Sequence, residues 1–172
     1  MTEPGANVFA PETQELLACA EVQCARRGVR LTKLRRTVLG LVIESPRPAG
    51  AYDLLARLEP AHGHAAPPTV YRALEFLLDE GLIHRIERLS AYVACVHHLQ
   101  HHHHEAATGH TAQFLICRTC GRVTELHDAE LAAALARATA GQGFRPDSAT
   151  VEALGVCIGC APAKVSLAVP PP

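Results

Sequence analysis

At 172 residues the chain has room for one ordinary domain or two small ones, and its 48% hydrophobic content is enough to bury a core, which excludes a disordered polypeptide. Its longest apolar runs fall far short of the roughly 20 residues that a bilayer span needs. Met1-Thr2-Glu3-Pro4 lacks the basic start and apolar stretch of a secretory signal, so a cytoplasmic location with no membrane partner is expected. The net charge of -1 hides a local asymmetry, because the eleven acids of residues 1–91 cancel eleven bases. Arg26, Arg27, Arg30, Lys33, Arg35 and Arg36 fall within eleven residues free of Asp and Glu, a footprint that suits either phosphates or a solvated helix face.

After a flexible N-terminus at 1–10, Pro11 to Arg27 has Leu16, Leu17, Ala20 and Cys24 at helical spacing, with Gly28 as a stop. Thr32 is placed to cap a second helix through about Glu44, which the Ser-Pro-Arg-Pro run at 45–48 ends. Ala51 to Leu58 reads as a short third helix, His62 to Ala66 as a loop, and Pro67-Pro68-Thr69 as the opening of a fourth helix that Gly81 closes. In the fourth helix Val70, Leu74, Leu77 and Leu78 repeat at helical spacing, which turns Tyr71, Arg72, Glu75 and Asp79 outward. Leu82 to Glu87 and Ala91 to Cys95 read as strands joined by a tight Arg88-Leu89-Ser90 turn. Successive helices followed by a hairpin have the order of a winged helix-turn-helix, placed over 11–95.

From His97 the pattern dissolves into a histidine-dense loop, so 96–110 is read as a hinge. Beyond it come a strand at Thr111 to Ile116, a second near Arg122 to Leu126, a helix from Asp128 to Ala140 and a strand at about Thr150 to Leu154, a small α+β unit over 111–161. The Pro-rich tail at 162–172 is expected to be mobile. The fold class is therefore α+β.

Seven cysteines in a reducing compartment are better suited to metal than to disulfides, and the odd count leaves one thiol over in any all-disulfide scheme. Cys117-Arg118-Thr119-Cys120 and Cys157-Ile158-Gly159-Cys160 are matching knuckles whose two-residue gaps let both sulfurs of each pair converge on one tetrahedral Zn²⁺. The 36 residues between the pairs are too many for a compact finger but suit a strand, a helix and a returning strand. A redox dithiol is the alternative, but it would not require a second matching pair.

Pro68-Thr69-Val70-Tyr71-Arg72-Ala73-Leu74 followed by Asp79-Glu80-Gly81-Leu82-Ile83 resembles the recognition helix and wing entry of the Fur (ferric uptake regulator) family, and the paired knuckles, histidine-rich hinge and element order agree over about 12–161. The resemblance implies a C-terminal dimerisation domain, a homodimer on a double-stranded DNA operator and no small-molecule substrate. It places the fourth helix in the major groove, where Arg72 can pair bidentately with guanine and Tyr71 can pack on a thymine methyl. Tyr52 is similar to a family position that reaches DNA, Thr69 opens the same helix, and Arg36 would contact phosphates.

His84, Cys95, His110 and Glu125 stand at offsets similar to those of the regulatory site in the zinc uptake regulators of the family. One thiolate, two imidazoles and a carboxylate suit Zn²⁺, whereas iron and peroxide sensors rely on His and carboxylate ligands. The resemblance thus implies two zinc ions per chain, one structural and one regulatory, and repression of zinc-uptake genes. Each residue also has an ordinary reading: Cys95 as a buried strand residue, His84 as a core histidine, Glu125 as a surface acid. The insertion from His97 to His104 departs from the family, either as a solvated loop or as a source of another ligand.

A regulator that senses iron or manganese is the nearest alternative. A zinc hydrolase is disfavoured because catalytic zinc keeps a position open for water, and no nucleophile motif or phosphate-cradling Gly loop is present. A metal buffer would explain the histidine run but not the winged-helix pattern.

Overall fold

Pro11 starts α1 (Pro11–Arg26) at a position where its missing N–H costs nothing, and α2 (Lys33–Ile43) begins where the Thr32 hydroxyl accepts from the Arg35 amide. The computed structural model describes residues 9–62, 67–100 and 111–161 and divides into two units, residues 1–107 and 108–172. The expected flexible N-terminus up to residue 8, the loop at 63–66, the run from His101 together with His110, and the tail from 162 lie outside the described residues.

In the first unit a two-residue strand β1 (Ala49–Gly50) leads into α3 (Ala51–His62), and α4 (Pro67–Asp79) follows. The wing is β2 (Ile83–Ile86) and β3 (Ala91–Ala94), joined by a tight turn over Glu87–Leu89 with Ser90 in the left-handed region. β3 lies between β1 and β2 in an antiparallel sheet, with His84 opposite Val93 and Ala49 opposite Tyr92.

Leu17, Ala20 and Cys24 of α1, Val38 and Leu39 of α2, Leu54 and Leu58 of α3 and Val70, Leu74 and Leu77 of α4 form one buried cluster. Each full Leu burial contributes about 1.5–3 kcal/mol, so the helices hold one another. Gly40 sits inside α2 for a steric reason: a Cβ there would lie 2.5 Å from Cζ of the Phe9 ring. The Gly81 and Leu82 amides close α4 by bonding back to the Leu78 and Leu77 carbonyls.

Three sequence expectations change. α3 runs on past Leu58 to His62, β1 had no expected counterpart, and residues 96–100, read as the start of a hinge, form a short helix α5 (Val96–Gln100) whose Leu99 is fully buried in the core. One apolar side chain therefore anchors a segment that its histidines make look unstructured.

In the second unit β4 (Thr111–Cys117) pairs antiparallel with β5 (Val123–Leu126) and parallel with β6 (Ala149–Gly155), with α6 (Ala129–Ala140) as the crossover. Asp128 caps α6 by accepting from the Leu131 amide at 2.9 Å. The buried Gln113 side chain donates to the Asp128 carbonyl at 2.8 Å and accepts from its amide, which fixes the start of α6 to the central strand.

Candidate metal centre and nucleic-acid interface

The parallel pairing of β4 and β6 puts Cys117 opposite Gly155, and this register returns the second knuckle to the first. The Arg118 amide bonds to the Gly155 carbonyl, and the Gly121 amide turns back to the Cys117 carbonyl through a left-handed glycine at φ 71°. The ligand atoms of Cys117, Cys120, Cys157 and Cys160 lie within 4.8 Å of one another. A zinc ion about 2.3 Å from four tetrahedral sulfurs sets sulfur–sulfur separations near 3.8 Å. Cys120 Sγ and Cys157 Sγ are 3.8 Å apart, so the residues fit the ion.

Backbone amides prepare this cluster for a cation. The Cys157 N–H donates to Cys117 Sγ at 3.3 Å, and with the Cys120 amide it holds the Cys117 thiol down to about 5. Cys160, which shares its proton with Cys157 and then Cys120, is pushed up to about 12. Of the four thiols, Cys117 is thus shifted toward the thiolate and Cys160 toward the protonated form.

His84 lies on β2 and Cys95 just beyond β3, where its amide bonds to the Leu82 carbonyl. A ring nitrogen of His84 and the sulfur of Cys95 lie within 4.8 Å of each other, with Cys95 buried and His84 half-buried. In the other unit, Glu125 lies on β5 opposite Phe114, its carboxylate 4.0 Å from His127 Nε2. His110 lies outside the described residues.

On α4 the buried side carries Val70, Ala73, Leu74 and Leu77, with Leu78 half-buried, and Thr69, Tyr71, Arg72, Glu75 and Asp79 are exposed. Tyr52 is 72% exposed at the start of α3 and Tyr71 41% exposed, so both rings are accessible to a ligand. Arg36 is engaged within its own domain, with Nε 2.7 Å from Glu21 Oε1 and Nη2 2.7 Å from Gln14 Oε1. Sequence reasoning assigned no role to Arg85 and Arg88, which the hairpin exposes on the wing and at its tip. The strand–turn–strand reading already contained that signal.

A helical domain with a wing and an exposed polar face on its fourth helix, followed by an α+β unit built on a four-thiol knuckle, defines a winged-helix protein of the metal-dependent regulator class. The ferric uptake regulator family model matches residues 26–154. The chain belongs to that family. It is 42% identical over 148 residues to the zinc uptake regulation protein of Escherichia coli K12, covering 86% of this chain and 82% of that one. It is 32% identical over 136 residues to the zinc uptake regulation protein of Mycobacterium tuberculosis, covering 77% and 95%. Among solved structures, a zinc uptake regulator complexed with zinc and DNA superposes with a TM-score of 0.78 at 40% identity, covering 88% of this chain and 96% of that one. The holo form of XcZur superposes with a TM-score of 0.71 at 38% identity, covering 84% and 95%.

Proposed function

We propose that this protein is a zinc-responsive transcriptional repressor of zinc-uptake genes that acts in the cytoplasm as a homodimer on an operator. The observation that carries the reading is the pairing of a thiol and an imidazole, Cys95 just beyond β3 and His84 on β2. A soft thiolate beside an imidazole favours Zn²⁺ over the harder ions that His and carboxylate sites select. The relatives named for zinc uptake support the same choice.

Two zinc ions per chain follow from this reading. One is structural, on Cys117, Cys120, Cys157 and Cys160, and it supplies the cross-link that a small unit with few buried side chains lacks. The other is regulatory, on His84, Cys95, His110 and Glu125. Its ligands come from both the wing and the second unit, so binding it restricts the orientations that the DNA-reading domains can adopt. Zinc represses only if it prefers the DNA-competent orientation.

On DNA, α4 enters the major groove. Arg72 and Tyr71 read base edges, while Thr69 and Tyr52 contact the flanking backbone. Arg36 joins them only by exchanging Glu21 for a phosphate. Dimerisation through the second unit is supported by its apolar surface, where Leu115, Leu131 and Leu154 are exposed and α6 buries no residue.

The test is metal content by mass spectrometry before and after mild chelation, with operator binding followed in parallel. Two zincs per chain, one lost together with DNA binding, is the expected result. Iron or manganese restoring binding where zinc does not would replace zinc as the sensed metal.

A further inference from the structure

The basic segment at 26–36 looks like a phosphate footprint in the sequence, yet three of its arginines are spent inside the domain. Arg36 joins α2 to α1 through Glu21 and Gln14. Arg27 Nη1 lies 3.1 Å from Glu80 Oε2 and donates to the Glu80 carbonyl at 3.2 Å, at the turn that ends α4. Arg35 is the most telling of the three. Its guanidinium lies 3.5 Å from the centroid of the Phe76 ring, while its Nη1 donates to the Arg30 carbonyl at 2.9 Å. An edge held by a carbonyl and a face held by an aromatic ring fix the planar group in both directions, an arrangement that an ammonium cannot reproduce.

We infer that Arg35 is a positioning residue for DNA reading, setting the angle of α4 through the face of Phe76, with Arg27 and Glu80 holding the same end of the helix. The inference rests on α4 being the reading helix. Phe76 and Glu80 lie in and just beyond the last turns of α4, whereas Thr69, Tyr71 and Arg72 lie in the first two. The C-terminal end therefore carries polar clamps to α1 and α2, whereas the N-terminal end is held by its apolar side alone, through Val70, Ala73 and Leu74. Arg72 is four residues from Phe76, about 6 Å along the axis, so a 10° tilt at the clamp moves its backbone by roughly 1 Å. Side-chain length multiplies that shift at the tip, and a bidentate contact to a base tolerates little of it. Arg35 thus acts on sequence reading without touching DNA.

The experiment uses the full-length zinc-loaded protein and a DNA duplex selected by that protein from a random pool, with fluorescence anisotropy measured over a salt series. Arg35→Lys keeps the charge and loses the planar stack, and Phe76→Leu removes the ring and no charge. Each is expected to weaken binding to the selected duplex roughly 2- to 10-fold, with little change on a scrambled duplex. The slope of log affinity against log salt should stay at the wild-type value, since no phosphate contact is lost. The double variant should be no weaker than the weaker single one, because both changes break the same contact.

Arg72→Ala is the control for the reading itself. If it leaves the affinity unchanged, α4 is not the reader and the proposed function needs revision. If Arg72→Ala weakens binding while Arg35→Lys and Phe76→Leu do not, only the positioning role falls. Wild-type affinity for Arg35→Lys, together with a slope reduced by about one for Arg35→Gln, would make Arg35 a phosphate contact and overturn the inference. A role limited to stability would lower the melting temperature of both variants and leave binding well below that temperature unchanged. If Phe76→Leu fails to fold, the Arg35→Lys arm decides alone.

Discussion

Replacing Cys95 by serine separates sensing from folding. The side chain is 1% exposed, and its amide is held by the Leu82 carbonyl, a bond that the substitution leaves in place. Serine is slightly smaller than cysteine, so no large cavity forms, but a hydroxyl in an apolar setting costs about 1–3 kcal/mol where it gains no partner. For a domain of this size that corresponds to a fall of roughly 4–20 °C in melting temperature, with the fold retained. The effect on function should be larger. Serine lacks the soft anionic donor, so the regulatory zinc is lost, and with it a coupling of about 1–3 kcal/mol, worth 5- to 150-fold in operator affinity. The assay is anisotropy of a labelled operator duplex over a buffered free-zinc series, with zinc content measured on the same samples. The expected result is a folded dimer with one zinc per chain and no zinc response. A mutant that responds to zinc with wild-type sensitivity would refute the assignment of Cys95, and with it that of His84, His110 and Glu125.

Arg72→Ala should weaken specific operator binding by about 1–3 kcal/mol and leave zinc content and dimerisation unchanged, as read by anisotropy and light scattering. Cys117→Ser or Cys157→Ser should remove the structural zinc and destabilise the second unit. A mutant that stays dimeric and keeps the wild-type melting temperature would show that the knuckles are not its staple. Proton counts should follow the two shifted thiols. With Cys117 ionised above about 5 and Cys160 protonated below about 12, zinc uptake at neutral pH must displace at least the Cys160 proton. Calorimetric titration in two buffers of different ionisation enthalpy should report at least one proton released per structural zinc, and none released would contradict a protonated Cys160. Without zinc, the depressed Cys117 contributes stability that is fully present above its ordinary value of 9.0 and is lost as pH falls through about 5.

The parts of the molecule that local chemistry dictates were legible in the sequence. Thr32 caps the helix it was placed to cap, the helix expected from Asp128 starts one residue later at Ala129, and the period of Val70, Leu74 and Leu77 gives the buried side of α4. The two-residue gaps of the knuckles predict the convergence of four sulfurs. What escaped depends on partners distant in sequence. β1 is two residues long and exists because Tyr92 and Ala91 offer it a partner strand. α5 exists because Leu99 finds the core, an attraction invisible beside His97 and His98. Periodicity could not show that β6 runs parallel to β4, although the gap between the knuckles required some return. Nor could charge counting reveal that Arg27, Arg35 and Arg36 are committed to Glu80, Phe76 and Glu21, residues 53, 41 and 15 positions away.

The parallel return of β6 to β4 has a consequence for biosynthesis. Cys120 and Cys157 are 37 residues apart, and β6, the strand that aligns them, is made last among these elements. At about 5–20 residues per second, the ribosome needs roughly 2–7 s to deliver the second knuckle after the first. During that interval the first pair of thiols has only half of a tetrahedral site, which holds a metal weakly and leaves Cys117 and Cys120 open to oxidation or to a competing soft ion. A structural zinc on these four thiols, as proposed above, would be captured only after the whole loop between the knuckles has emerged, so metal loading would come late in the maturation of each new chain.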